Sequence, residues 1–222
     1  MRTAIEPVSA SIPDIAVERR RGLNTPLTFK LADNKQAPSA RLLSVSMIQA
    51  PLVRQAFDFD CGCACIQSAL RMYGYDVRSG LVIDALEMSS DELIDCHRIC
   101  DMLAIFGVKA EERENLGMKA LRSHLLDSRP VMTAVQAWGT PDHYSRLESG
   151  HFVLCLGMDS VCVYFMDPSL LGVYGFLPID VFERRWRDMD KYGKRVNQYS
   201  IVFPTVDMGS GSVFKRRRAR HL

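Results

Sequence analysis

Two apolar runs, Phe152–Met158 and Val161–Met166, are parted by the turn-prone pair Asp159-Ser160. An antiparallel hairpin is the economical way to bury both, and it fixes what stands at its open end. Facing residues in such a hairpin share one number sum, and a turn centred on Asp159 sets that sum at 318. His151 and Asp167 then face each other, or nearly so, on one side of the sheet. A carboxylate there can accept the proton of one imidazole nitrogen, leaving the other free to act on a thiol. By themselves, a histidine at a strand start and an Asp-Pro after a strand are also an ordinary structural arrangement.

The thiol candidate lies ninety residues earlier, in Asp60-Cys61-Gly62-Cys63-Ala64-Cys65. The stretch Cys61–Gly74 has small residues in its first turn, apolar Ile66, Ala69, Leu70 and Tyr73 at helical spacing, and Gly74 as a stop. Asp60 is placed as its N-cap, which sets Cys61 in the opening turn. Unpaired amides and the helix dipole stabilise a thiolate there, and the thiolate is the reactive species. Cys63 and Cys65 continue the helix as small buried hydrophobes.

With these pieces in place the chain resembles the papain-like peptidases that process bacteriocin precursors at double-glycine leaders. The resemblance rests on Gln55, Asp60-Cys61-Gly62, Ala64, Gly150-His151 and Asp167-Pro168, in that order, and spans roughly residues 45 to 204. It implies Cys61 as nucleophile, His151 as general base, Asp167 as its orienter and Gln55 as the side-chain half of an oxyanion hole. In bacteriocin systems such a domain is commonly fused to an exporter with an ATPase. Here no apolar run approaches the ~18 residues of a membrane helix and no phosphate-binding Gly-x4-Gly-Lys-Ser/Thr loop occurs. A stand-alone member is expected, whose substrate need not be a double-glycine leader.

The remaining segments give an α+β reading, with a helical layer carrying the nucleophile and then an antiparallel sheet carrying His and Asp. Residues 1–40 are expected as an N-terminal arm, 41–205 as the peptidase domain and 206–222 as a flexible basic tail. A strand is predicted over Leu42–Gln49 and helices over Leu81–Met88, from a Ser89-Ser90-Asp91-Glu92 capping box to about Phe106, and over Asn115–Leu126. Strands at Val131–Trp138 and near Val173–Leu177, a helix over Pro178–Arg187 and a strand at Tyr199–Phe203 follow. The cleft between the layers should be lined by Asp60, Gly62, Gln136, Trp138 and Gly150, with His143 and Tyr144 on the rim loop Gly139–Ser149.

Cysteine-rich segments raise the question of a metal. Cys61, Cys63 and Cys65 would not converge on one ion from a helix, and Cys96-His97-x2-Cys100 reads better as a core stripe with Leu93, Leu103 and Ala104. No metal or cofactor is therefore expected. Seven cysteines without a secretory leader point to a reducing, cytoplasmic setting. The net charge of +2 includes five positive charges from Lys215, Arg216, Arg217, Arg218 and Arg220, so the remainder sums to −3. No general polyanion surface follows, and the tail's anionic partner is left unassigned. The expected function is peptide-bond hydrolysis through a thioester, with a peptide or protein substrate. The alternatives are an amidase, isopeptidase or acyl transferase on the same chemistry, and a non-catalytic peptide-binding module.

Overall fold

The computed structural model describes residues 47–88, 94–138, 141–170 and 172–207, all within the unit Ser46–Leu222. The expected arm, most of the tail and the Ser89–Glu92 capping box lie outside the described residues. Helix α1 (Cys61–Met72) is followed by α2 (Ser79–Ala85), α3 (Cys96–Ile105), strand β1 (Glu111–Arg113), α4 (Gly117–Leu126) and β2 (Val131–Gln136). Then come α5 (Pro141–Tyr144), β3 (Gly150–Met158), β4 (Cys162–Met166), β5 (Gly175–Pro178), α6 (Ile179–Arg185), β6 (Arg187–Met189), β7 (Arg195–Asn197) and β8 (Ser200–Val202). The mixed helix and antiparallel-sheet architecture is as expected, although α4 to α6 interleave with the strands.

The main sheet runs β1-β8-β2-β3-β4-β5 with every neighbour antiparallel, and β6-β7 is a separate hairpin. The His-bearing strand β3 is central, with all of Phe152–Gly157 buried. Helix α1 is buried on all sides from Cys61 to Leu70, not along one stripe. That is why its face positions hold cysteine, alanine and glycine. A Cβ on Gly62 would stand 2.9 Å from Ile94 and 3.3 Å from Phe152. Gly74, at φ +90, carries the chain out of the helix as only glycine does cheaply. On the sheet, Phe182 of α6 packs on Phe165 and Trp186, with ring centroids 6.4 and 5.3 Å away. Each such fully buried aromatic contributes roughly 1.5–3 kcal/mol of hydrophobic stabilisation.

Three local expectations change. The hairpin turn takes three residues, because Asp159 accepts hydrogen bonds from the amides of Val161 (2.6 Å) and Cys162 (2.7 Å). An irregularity between Cys155 and Gly157 then shifts the pairing, so that Leu154 faces Met166, a sum of 320 in place of 318. Helix α3 starts at Cys96, where the Asp95 carboxylate accepts the His97 amide; its buried residues are Ile99, Met102 and Leu103, whereas Ala104 is exposed. Residues 47–49 of the expected leading strand form none, and Ile48 donates a hydrogen bond to Leu156 at 2.9 Å.

Candidate active site

The two-residue register shift preserves parity. With Leu154 opposite Met166, the same register carried one residue past the end of β4 sets Asp167 against Val153, which makes His151 its diagonal neighbour on the same side of the sheet. The side chains bridge that diagonal: His151 Nε2 lies 2.8 Å from Asp167 Oδ1. His151 is 2% exposed, so its side of this bond is shielded from water, whereas Asp167 is half-buried. Asp167 Oδ1 also accepts the Ser169 amide (2.8 Å) and hydroxyl (2.7 Å), which orient the carboxylate. Ser169 was not foreseen, although Asp-Pro-Ser is a sequence in which an Asx turn is a reasonable expectation.

Strand β4 ends at Met166, so β3 has an open edge at Phe152, and α1 occupies it. Ala134 directs its amide to Tyr199 on the β8 side, so its facing residue Phe152 points its own N–H and C=O away from β2. The Phe152 amide donates to Cys61 Sγ at 3.5 Å, and Cys65 Sγ–H donates to the Phe152 carbonyl at 3.4 Å. Thus the backbone of one residue, adjacent to His151, docks the start of α1 through both its N–H and its C=O. The Cys61 side chain also acts on the His151 ring, as a hydrogen-bonding group and as a charge, and both effects favour the imidazolium. Burial alone would pull the imidazolium down, but the bonds and charges of Asp167 and Cys61 outweigh it and raise its pKa to about 9. Burial would raise Asp167, and the His151 and Ser169 bonds hold it below its ordinary value instead.

Asp60 occupies the N-cap position but makes no side-chain cap bond. Its buried carboxylate turns back to accept the amides of Ala56 (3.1 Å) and Phe57 (3.0 Å), clamping the loop before the helix. Gln55 in that loop ties its backbone amide to the Pro168 carbonyl (3.1 Å), beside Asp167. Its Nε2 donates to the Phe57 carbonyl at 2.8 Å, and its buried Oε1 has no donor.

The expected cleft residues divide. Trp138 is 53% exposed, with its ring 5.1 Å from that of His151, and Gly150 is exposed. Asp60 and Gly62 are buried within the helix junction and do not line a cleft. Gln136 is also buried: its amide donates to Arg187 O (3.1 Å) and Asp188 Oδ1 (3.0 Å) and accepts from the Ser149 amide (3.0 Å), so it braces the loop before His151. Tyr144 is buried beneath the Arg185 guanidinium, 4.6 Å from its ring centre, and His143 is exposed on α5. Among the described residues no three His, Cys, Asp or Glu side chains gather as a metal site would require. No described helix is long and apolar enough to cross a membrane.

Neither a protein-family model nor a curated protein matches the sequence. Solved structures do match by shape. A C39-like peptidase from Bacillus anthracis aligns with a TM-score of 0.54 at 14% identity, covering 72% of this chain and 98% of that one. The peptidase domain of Streptococcus ComA, a bifunctional ABC transporter of a quorum-sensing pathway, aligns with a TM-score of 0.52 at 16% identity, covering 69% and 98%. The chain therefore has the papain-like fold of the C39 peptidase domains.

Proposed function

We propose that the protein is a cysteine peptidase. The observation that carries this reading is the junction of α1 with the open edge of β3, where the helix-N-terminal thiol of Cys61 is held by the amide next to His151 and the His151 imidazole is hydrogen-bonded to the Asp167 carboxylate. Cys61 as thiolate attacks the scissile carbonyl. The His151 imidazolium, oriented by Asp167, gives its proton to the leaving amine, and water then hydrolyses the thioester with His151 as base. The developing oxyanion takes the Cys61 backbone amide and the Gln55 side-chain amide as donors. Gln55 supports that role by its place in a clamped loop tied to the Asp167-Pro168 segment. The substrate is a peptide or protein, and the catalytic domain spans about residues 41–205. Seven cysteines, none in a disulfide, support a reducing, cytoplasmic setting.

The test is digestion of an unbiased peptide library by the protein and by Cys61→Ala, with products read by mass. Cleavage adds one water across the broken bond and requires Cys61. Products carrying an added amine acceptor would replace hydrolysis by acyl transfer. Equal cleavage by Cys61→Ala would end the proposal.

A further inference from the structure

A shallow open cleft lies beside this junction, between the start of α3 and the β6-β7 hairpin. Its floor is apolar, built from Ile94, Ala134, Phe152 and Val196. Ile94 and Phe152 are also the side chains that a Cβ on Gly62 would meet, so the floor backs onto the first turn of α1. The charges at its mouth are mostly spoken for. Asp95 pairs with Lys191 at 2.6 Å and Glu114 with Lys194 at 2.8 Å. Asp190 Oδ1 accepts the amides of Tyr192 and Lys194 within its own turn, and His97 pairs with Glu112. Asp188 differs. Gln136 Nε2 (3.0 Å) and the Met189 amide (2.9 Å) fix its Oδ1, but among the described residues no lysine or arginine pairs with it.

The carboxylate also sits against the strand that carries His151. It lies over Gly150, and a Cβ at that position would come within 2.5 Å of Oδ2. The next residue is His151. Burial raises Asp188 to about 6 against the pull of its two hydrogen bonds and the nearby imidazolium, so it carries its charge at neutral pH.

Building on the peptidase reading, we propose that this cleft is a substrate subsite in which Asp188 selects an arginine or lysine side chain next to the scissile bond. The aliphatic stem lies along the apolar floor, and the cationic head replaces the missing partner of the carboxylate. A neutral side chain of equal length leaves Asp188 uncompensated and is disfavoured.

The test uses capped peptidyl acyloxymethyl ketones carrying arginine or norleucine at the two positions before the electrophile, with rates of Cys61 labelling read by mass. Wild type should label about tenfold faster with an arginine probe, the order expected for one charge-assisted hydrogen bond. Asp188→Asn should lower the arginine rate more than the norleucine rate and so remove that advantage. Asp188→Ser provides a second variant, with a thermal melt on both to establish folding. Equal rates for the two probes in wild type overturn the proposal. So does an equal loss of both rates in folded Asp188 variants, since the carboxylate would then act through His151. A preference seen only with an uncapped α-amine removes the side-chain assignment. Iodoacetamide separates the two levels: selective alkylation of Cys61 without an arginine preference sinks this inference alone, whereas no selective alkylation removes the peptidase reading and this one with it.

Discussion

At the level of single residues, the seven thiols are sorted by their surroundings. Burial pushes Cys63, Cys96 and Cys155 up to about 12 and Cys100 and Cys162 to about 11, and Cys65 is raised as well. Cys61 is the one thiol that acts on an imidazole, that of His151. Iodoacetamide at about pH 6 should therefore modify Cys61 before any other thiol, and His151→Ala should abolish the preference. A first adduct on Cys63, Cys65 or Cys155, read by peptide mass, would refute the assignment. Asp167→Asn should leave a folded protein with lower kcat, by less than Cys61→Ala lowers it. It should also move the pH profile in a defined direction. Asp167 is one of the groups that raise His151 to about 9, so its neutralisation lowers that value and the alkaline loss of activity begins at lower pH. Gln55→Ala should lower kcat by on the order of 10²-fold with little change in KM, because the oxyanion exists only beyond the ground state. Alkylation, which forms no oxyanion, should continue in this variant; its loss together with turnover would mean that Gln55 supports the fold instead.

Among elements, the loop 55–60 shows what sequence could and could not say. The order Gln55, Asp60, Cys61 was legible, as was the helix that follows. The direction of the Asp60 carboxylate was not, because an N-cap and a loop clamp use the same residue at the same position. Asp60→Ala leaves two loop amides without their acceptor, which costs about 1–3 kcal/mol and frees Gln55. The melting temperature should fall by several degrees and kcat should fall with it. A variant that melts lower but keeps full kcat would show that the clamp does not position Gln55. The hairpin was legible in the strand pattern, and its two-residue register error did no damage, because side-chain parity in a strand survives any even shift. Strands β1, β6 and β7 were missed for a physical reason. Each has three residues, and Glu111-Glu112-Arg113 and Arg187-Asp188-Met189 contain no fully buried residue, so no alternation can register. That miss hid Asp188, since nothing in its local sequence brings it to Gly150.

Across the whole molecule, the buried His151–Asp167 pair couples the site to stability. The folded pKa of His151, about 9, lies above its ordinary 6.5. The native state thus holds a proton that the unfolded chain has released between these values, and unfolding becomes easier as pH rises. The stabilisation is complete below about pH 6.5, declines through about 9 and is gone beyond. Asp167 works in the opposite sense: its depressed value contributes above the ordinary 3.8 and is lost as pH falls through the folded one. Buried thiols add a later alkaline loss, since their raised values make the native state retain protons above about 9. Comparing wild type with His151→Gln isolates the histidine, because the thiols are common to both. Urea unfolding at about pH 6.5 and 9 should show wild type losing up to about 3 kcal/mol more than His151→Gln over that interval. Parallel curves for the two proteins would mean that His151 is not held as an imidazolium in the native state. The alkaline limb of activity would then need another origin.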